Sequence, residues 1–554
     1  MSNIFKHVLA RKPKRSTFNL SHMNSLTCNF GKLVPFLCEE VVPGDTWKVD
    51  SNVLVRFAPL VFPVMHDIRV TTHFFYVPFR LLWTNFEAFI TGENEANGDN
   101  PPVFPRLRVR VANEVDSEFF STGSLADYLN YPTTDSNTYT DGLRVSSLPF
   151  RAYQLIYNEF YRDENLQAEV EFSRDDHEVV PGTDEYAELL TLRNRAWSKD
   201  YFTSALPWTQ KGPQQMVPID VDADGRLTFK GTQPASSAHP GQFQPSYVVE
   251  NDGTKSLLTT QNYLQAEGGL SPDDVGGLGI DDVWSQNDSP LAIDNSQNLG
   301  IESAIRGAGF TINDLRRSSA IQRWLERNAR GGSRYIESLL SHFGVESDDL
   351  RLQRPEFLGG NTMPVNIDDV LQTSQTTDSS PQAQYSGIGY SNHNVHGFKR
   401  TFKERGLIMG IMSIMPRPAY AEGLPRSLRK FDKFDYYWPE FAHLGEQEIF
   451  NYEVALRGGS AFDTFGYAPR YAEYKYIPSR VHGEFKTTLS KWNLARHYSN
   501  QPALTGEFIT CDDDANDLNR IFAVEAASEH HLFVRVINNI KARRPMPYLP
   551  DPSL

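Results

Sequence analysis

Cysteine is scarce in this chain of 554 residues, which contains only Cys28, Cys38 and Cys511. Three thiols cannot build a disulfide framework or a cysteine-rich zinc site, and such sparse use favours a reducing compartment. Long hydrophobic runs are missing too, since the best uncharged apolar stretch, 406–416, is far shorter than the ~20 residues of a membrane helix. No continuous apolar stretch precedes the first basic cluster, as a secretory signal would require. The sequence therefore predicts a soluble chain with no membrane insertion.

Recognisable catalytic motifs are absent as well. The sequence has no Gly-x-Ser-x-Gly, no phosphate-binding loop and no dinucleotide fingerprint. The acids Asp220, Asp222 and Asp224 match the first half of a calcium loop, but the twelfth position is Gly231 where a bidentate Glu should stand. These three acids form a weak surface calcium site at most. We therefore expect no enzymatic activity, no cofactor and no structural metal.

Acidic charge is concentrated in two internal segments of a chain whose formal net charge is −15. Residues 163–188 carry ten acids and one base, and residues 212–300 carry twelve acids and three bases. By contrast, the first 38 residues contain six Lys or Arg and no acid. A polyanion would therefore be bound by the termini and repelled by the acidic segments. A basic tail that only aids solubility is the alternative that charge alone leaves open.

Aromatic residues make up 12% of the chain, and their pattern favours β-structure. Alternating or continuous apolar residues predict strands at 33–42, 53–57, 67–78, 485–492 and 531–540. Because the first of these segments lie near the N-terminus and the last near residue 540, the sheet must join parts of the chain that are far apart in sequence. The expected architecture is a β-sandwich whose strands are separated by long excursions.

Helices and loops are expected within these excursions. Apolar residues at helical spacing predict helices from Ser147 to about residue 160 and from Thr311 to about Ala329. Residues 212–300 are rich in Gly and Pro without a lasting period, which indicates a disordered linker or an elaborated surface loop. Residues 372–397 are rich in Ser, Thr, Gln and Asn and are interpreted as a smaller polar loop.

Several long phrases resemble the major capsid protein of the Microviridae, most closely its gokushovirus branch. The resemblance runs from residue 18 to 552, and the two loops are its divergent parts. It rests on FNLSHMNSLTCNFGKLVPFLCEEVVPGDTW (18–47), THFFYVPFRLLW (72–83), YFTSALPWTQKGPQ (201–214), WLERNARGGSRYIESLLSHFGV (324–345), RLQRPEFLGG (351–360), FDYYWPEFAHLGEQEIFNYE (434–453), YAPRYAEYKYIPSRVHGEF (467–485) and HHLFVRVINNIKARRPMPYLPDP (530–552).

The resemblance implies an eight-stranded antiparallel jelly roll whose long insertions contain short helices. Such a chain would assemble in the bacterial host cytoplasm into a T=1 icosahedral shell around circular single-stranded DNA. The implied domains are a basic N-terminal arm at 1–30 and one capsid domain at 31–554. Its insertion 212–305 would form an outward threefold protrusion that contacts a host surface receptor. The implied partners are further copies of the chain, an internal scaffolding protein and a small basic DNA-binding protein.

Two sets of residues are expected to act in such a shell. The basic residues near the termini are candidates for DNA contact: Lys6, Arg11, Lys12, Lys14, Arg15, Lys541, Arg543 and Arg544. Large aromatic residues are candidates for subunit packing: Trp324, Phe434, Tyr436, Tyr437 and Trp438. Two other classes of protein stay open at this point. An aromatic-rich jelly roll could be a carbohydrate-binding module or glycoside hydrolase, and basic termini would suit a DNA-binding regulator.

Overall fold

A computed structural model of the chain describes residues 14–91, 102–109, 117–133, 143–212, 312–331, 353–373, 382–524 and 529–549, together with seven short strands between 228 and 302. These residues are mainly β, with one long helix and several short ones. No helix in these ranges is both long and apolar enough to cross a membrane.

Two antiparallel sheets dominate the fold, and their strands are numbered here in chain order. The larger sheet has six strands: β1 (Ser16–Asn19), β2 (His22–Cys28), β4 (Thr46–Phe57), β17 (Asn366–Leu371), β18 (Tyr385–Thr401) and β24 (Leu532–Arg544). Its order is β17-β18-β4-β24, and the far edge of β24 pairs with both β1 and β2. The sheet thus joins the two ends of the chain, which confirms the expectation from the sequence.

The smaller sheet has four strands: β3 (Val34–Val41), β5 (Ile68–Pro78), β16 (Glu356–Pro364) and β19 (Gly406–Pro416). Their order is β16-β5-β19-β3. All eleven residues of β19 are buried. Ile408 and Met412 belong to one apolar core, and the alternate residues Met409 and Ile411 belong to another. The uncharged run at 406–416 is therefore a strand covered on both faces, because successive side chains point to opposite sides of a sheet.

The first of these cores draws on both sheets. In β4 the residues Trp47, Val49, Val53 and Val55 are buried, whereas their neighbours Lys48, Asp50, Asn52 and Leu54 face away from the core. Strand β24 alternates in the same way between buried and exposed residues. Burial of each large apolar side chain stabilises the fold by roughly 1.5–3 kcal/mol relative to leaving it exposed. This alternation therefore determines which face of the larger sheet meets water.

The second core lies on the other face of the smaller sheet and is built largely from helices and connections. Five short helices contribute to this core: α1 (Phe79–Leu82), α2 (Phe86–Thr91), α3 (Leu125–Tyr128), α4 (Leu148–Ile156) and α5 (Asp184–Leu190). The other helices of the described residues are α6 (Ile312–Gly331), α7 (Asn451–Val454) and α8 (Gly506–Ile509). Helices α4 and α6 confirm the two helices predicted from apolar spacing. Helix α4 continues into a π-helical turn at Tyr157–Tyr161 and buries Phe150 and Tyr153 in this core.

The described residues contain further short strands. Outside the two main sheets they are β6 (Arg106–Arg108), β7 (Arg144–Ser146), β8 (Glu178–Val179), β20 (Ala419–Tyr420), β21 (Glu446–Phe450), β22 (Thr464–Pro469) and β23 (Ser479–Arg480). Residues 212–325 form a compact unit of their own. Its strands are β9 (Thr228–Gly231), β10 (Tyr247–Val249), β11 (Lys255–Leu257), β12 (Leu264–Ala266), β13 (Leu278–Ile280), β14 (Ala292–Ile293) and β15 (Leu299–Glu302).

The interpretation of 372–397 as a polar loop is wrong for its second half. Residues 385–397 lie in β18, which pairs with β4 and β17 inside the larger sheet. The polar residues occupy its outer face, while the inner face uses small residues under large neighbours. A Cβ on Gly389 would lie 2.7 Å from the Phe57 ring, and one on Gly397 would lie 2.3 Å from the Val49 carbonyl oxygen. These two glycines are therefore positions of close packing within a strand.

Two other expectations are corrected. The predicted arm at 1–30 is too long, because residues 16–28 form β1 and β2, which pair with β24 over four and seven residues. The predicted strand at 485–492 is also wrong. That segment is part of two 3-10 turns, Gly483–Lys486 and Ser490–Trp492. The Trp492 ring stacks 5.2 Å from that of Phe62, in a distant part of the sequence.

Candidate functional site

An exposed aromatic segment is the most unusual surface of the described residues. All ten residues from 431 to 440 are exposed, and together we call them the aromatic segment. The exposed fractions of its large side chains are 84% for Phe431, 51% for Phe434, 52% for both Tyr436 and Tyr437 and 45% for Trp438. Soluble monomers rarely leave a contiguous patch of this kind in water, and aromatic residues are enriched where protein surfaces meet.

The aromatic segment has a defined conformation although it lacks regular structure. Trp438 Nε1 donates to the Lys433 carbonyl at 2.8 Å, and the Tyr437 ring packs 4.9 Å from that of Tyr471. The Asp435 carboxylate accepts from the backbone N–H groups of Phe431 and Asp432, both at 2.9 Å. These hydrogen bonds, first that from Asp432, lower the pKa of Asp435. The segment is therefore held rigidly while it exposes its rings, which lowers the entropic cost of binding a partner.

Further exposed apolar residues come from a second segment that contacts the first. The Tyr437 backbone N–H donates to the Tyr474 hydroxyl at 3.3 Å, and Lys430 Nζ lies 3.8 Å from the centre of the Tyr474 ring. Tyr474, Tyr476 and Ile477 are 53%, 60% and 82% exposed. The apolar surface therefore extends across residues 474–477.

A basic edge is formed where the two ends of the chain meet. Strand β1 pairs with the end of β24, so that Asn19 lies opposite Lys541 and Thr17 opposite Arg543. Lys14 and Arg15, directly before β1, are exposed, as are Lys541 and Arg543. The structure thus brings four of the predicted DNA-contact residues to one edge of the larger sheet.

Arg544 differs from its neighbour, because its side chain is only 20% exposed and faces the fully buried Asp45. Its Nε atom is 3.2 Å from Asp45 Oδ2 without hydrogen-bond alignment, so the attraction between them is chiefly electrostatic. The guanidinium also donates to the Glu40 carbonyl at 2.9 Å and lies 5.2 Å from the centre of the Trp47 ring. Arg544 therefore works as an internal cation that fixes the end of β24.

A row of lysines crosses the exposed face of the larger sheet. Lys48 lies opposite Lys541 on one side and opposite Lys399 on the other, and all three are exposed. Among the described residues, the carboxylate that pairs with this row is that of Asp50, whose Oδ2 atom lies 3.3 Å from Lys48 Nζ. Like charges directly opposite each other across strands are destabilising. An anion bound over the row would remove that repulsion.

The thiols and polar clusters offer no comparable chemistry. Burial raises the pKa values of Cys28 and Cys38 to about 12 and that of Cys511 further, so these thiols stay protonated and unreactive. No group of three or more His, Cys, Asp or Glu residues in the described ranges could hold a metal ion. The acids Asp220, Asp222 and Asp224 lie outside the described residues.

Comparison with known proteins decides the family. A model of the family described as "Capsid protein (F protein)" matches residues 6–554. The chain belongs to this family. It is 35% identical to capsid protein VP1 of Chlamydia phage 1 over all of this chain and 98% of that protein. It is 33% identical to capsid protein VP1 of Bdellovibrio phage phiMH2K, over 91% of this chain and 90% of that one. The corresponding protein of Spiroplasma virus 4 is 30% identical over 98% and 95%.

Membership in this family confirms the resemblance found in the sequence phrases and gives the protein a structural role in a phage virion. It does not favour the carbohydrate-binding module or glycoside hydrolase that the sequence left open. An exposed aromatic surface is understandable in a capsid protein, since a shell subunit must contact its neighbours.

The remaining predicted residues of the capsid protein are distributed as follows. Trp324 lies on α6 with 55% of its surface exposed, beside the buried Leu325. Lys6, Arg11 and Lys12 lie outside the described residues. The set predicted for subunit packing otherwise occupies the aromatic segment.

Sequence reasoning missed Lys48, Lys399 and Phe431. The two lysines are separated by 351 positions along the chain, and only the strand pairing makes them neighbours. Phe431 could have been noticed, because FDKFDYYW places five aromatic residues among eight with no helical or strand period. No signal in the sequence alone could have found the lysine row.

Proposed function

We propose that this capsid protein assembles into a T=1 icosahedral shell around circular single-stranded DNA, and that its capsid domain is an eight-stranded jelly roll. The strands that support this are β2-β24-β4-β18 in one sheet and β3-β19-β5-β16 in the other, all antiparallel to their neighbours. Strands β1 and β17 would then extend the first sheet. The long insertions fall between β5 and β16 and between β19 and β24.

The observation that carries the assembly proposal is the run of ten exposed residues in the aromatic segment. A shell subunit buries surface against several neighbours, and obligate interfaces of this kind are more apolar than ordinary protein surface. Its rings are between 45% and 84% exposed within one copy, and a second copy would cover them. In this proposal the aromatic segment and residues 474–477 form one contact surface between subunits, with Trp324 belonging to another.

Phe431 gives the sharpest test, because its ring is 84% exposed and has no ring partner among the described residues. We expect Phe431→Ser to leave the fold of the subunit intact and to reduce the yield of closed particles in sedimentation and negative-stain microscopy. Met65→Ala is the matched control, since Met65 is 69% exposed and lies outside the surface. Normal particles from Phe431→Ser would contradict the proposal.

The basic edge would contact the packaged DNA. Its exposed members Lys14, Arg15, Lys541 and Arg543 can bind phosphates without reading bases, and Lys6, Arg11 and Lys12 would add charge nearby in sequence. Changing Lys6, Arg11, Lys12, Lys14 and Arg15 to Gln should give particles that hold less DNA or release it at lower temperature. Normal packaging and an unaltered salt dependence of genome release would contradict this role.

Insertion 212–305 would form the outward threefold protrusion that contacts a host surface receptor. Its acidic charge would repel packaged DNA, and it falls within a compact unit at 212–325, which suits an independently varying surface element. Deleting 213–305 should leave shells that assemble but attach poorly to host cells. A density map of the particle with this insertion inside the shell would contradict the assignment.

Two further partners follow from the charge of the chain. Five arm cations per subunit would balance only a small share of the genome charge, so a small basic DNA-binding protein would supply part of the rest. An internal scaffolding protein would guide assembly in the bacterial cytoplasm, where the three free thiols stay reduced. Particles purified from infected cells should contain the basic protein, and assembly intermediates should contain the scaffold.

A further inference from the structure

A groove of about 570 Å³ lies on the exposed face of the larger sheet. Its floor consists of two rows of paired residues. Thr27, Phe533 and Arg56 form one row across β2, β24 and β4. Ser25, Arg535 and Leu54 form the next row. We call it the two-arginine groove, after Arg56 and Arg535, and its volume lies in the range of small-ligand sites.

The wall of the groove is formed by residues 122–130 and is fixed in place. The Tyr128 hydroxyl donates to the Thr27 carbonyl at 2.6 Å, and Thr27 Oγ1 is hydrogen-bonded to His530 at 2.9 Å. Gly123 has φ +81°, and a Cβ there would lie 2.4 Å from the His530 ring. Glycine is thus required for the wall to approach so closely. The groove exists before any ligand binds.

The chemistry of the groove is cationic and aromatic. Within the described ranges no carboxylate lies at ion-pair distance from Arg56 or Arg535, although the groove also contains Asp127. The Asp127 carboxylate is engaged by the Gly123 backbone N–H at 2.9 Å. The Phe533 ring is 45% exposed, and Tyr390, which is 38% exposed, lies opposite Arg56 on β18. Two unpaired guanidinium groups beside exposed rings suit a ligand that carries both a negative charge and a flat apolar face.

We infer that the two-arginine groove binds a nucleotide of the packaged single-stranded DNA, with phosphate held by Arg56 and Arg535 and a base stacked on Phe533. This inference rests on the proposed DNA contact of the shell. Lys541 is six residues from Arg535 along β24 on the same face, or about 20 Å at the rise of a strand. The lysine row would then hold the phosphates that leave the groove.

Binding of a fluorescent oligothymidine to the full-length protein, measured by anisotropy over a range of salt concentrations, tests this. Each phosphate contact on single-stranded nucleic acid contributes about 0.7 to the slope of log affinity against log salt. The double variant Arg56→Gln, Arg535→Gln should therefore lower that slope by about 1.4. Phe533→Ser should weaken binding by about tenfold with little change in slope, because stacking releases no counterions.

Arg417→Gln is the matched control, since Arg417 is exposed and lies beyond the end of β19. If the groove variants behave like this control while Lys541→Gln and Arg543→Gln weaken binding, the groove is not a DNA site and the proposed DNA contact stands. If the unchanged protein fails to bind the oligonucleotide, the proposed DNA contact itself fails, and the groove inference fails with it.

Photocrosslinking in particles provides a measurement that needs no variant. Genomes labelled with bromouracil should crosslink on irradiation to the peptide that contains Phe533, and mass spectrometry would identify it. A particle map with a protein segment of a neighbouring subunit in the groove would overturn the inference. Crosslinks confined to other peptides would do the same.

Discussion

Arg543 and Arg544 are adjacent in sequence, yet the structure predicts opposite consequences when each is changed to Gln. Arg543 is exposed on the outer face of β24, whereas Arg544 neutralises the buried carboxylate of Asp45. Arg544→Gln would leave that carboxylate without its cation, although Asp45 would still accept from the Val42 backbone N–H at 3.1 Å and from Trp47 Nε1 at 3.2 Å.

The magnitude follows from these remaining contacts. Breaking a buried ion pair by removing one partner costs about 3–5 kcal/mol. Because two hydrogen bonds still stabilise the Asp45 carboxylate and Arg544 is 20% exposed, we expect a cost below that range, about 2–3 kcal/mol. Arg543→Gln should change the free energy of unfolding by less than about 0.5 kcal/mol, as is usual for surface positions.

Urea denaturation of the subunit, followed by tryptophan fluorescence, would measure both values. Trp47 lies 5.2 Å from the Arg544 guanidinium and reports on this region. The order of the two variants should be reversed for DNA binding, because Arg543→Gln should weaken oligonucleotide binding more than Arg544→Gln does. Equal stability of the two variants would refute the view of Arg544 as an internal cation.

Three further predictions concern packing, pH and the aromatic segment. In urea denaturation, Gly397→Ala should destabilise the subunit by about 3 kcal/mol, because its Cβ would lie 2.3 Å from the Val49 carbonyl oxygen. Gly389→Ala should cost less, because its Cβ would meet the Phe57 side chain and not the backbone. Because the pKa of Asp435 is lowered in the folded protein, its ionised carboxylate stabilises the aromatic segment at pH values above the ordinary pKa of an aspartate. This stabilisation is lost as the pH falls through the lowered pKa of the folded protein. Particle assembly of Asp435→Asn should therefore lack the acid sensitivity of the unchanged protein, and identical pH profiles would contradict this. Trp438→Ala should reduce assembly. It should also lower the free energy of unfolding of the subunit by about 1–3 kcal/mol in thermal or urea denaturation, because the Trp438 indole N–H donates to the Lys433 carbonyl. Unchanged assembly would show that the ring lies outside any interface.

The sequence by itself determined the family, the β-rich class and the two longer helices. Alternation in β4 and β24, the apolar run of β5 and helical spacing in α4 and α6 are local signals, and burial of apolar side chains makes them decisive. Phrases such as FDYYWPEF located the aromatic segment in advance, and its role as a packing surface between subunits stays a prediction.

Tertiary structure decided what local signals could not encode. The first half of strand β18 resembles a polar loop in sequence because it is rich in polar and small residues, and only close packing against neighbouring strands, such as Gly389 against the Phe57 ring, buries its inner face. Likewise Arg543 and Arg544 are equivalent cations in the sequence. Because successive side chains of a strand point to opposite faces, Arg543 faces solvent and Arg544 faces Asp45. The lysine row and the two-arginine groove join residues from β2, β4, β18 and β24. Contacts between strands hundreds of residues apart depend on register, and register is set by the packing of the whole sheet.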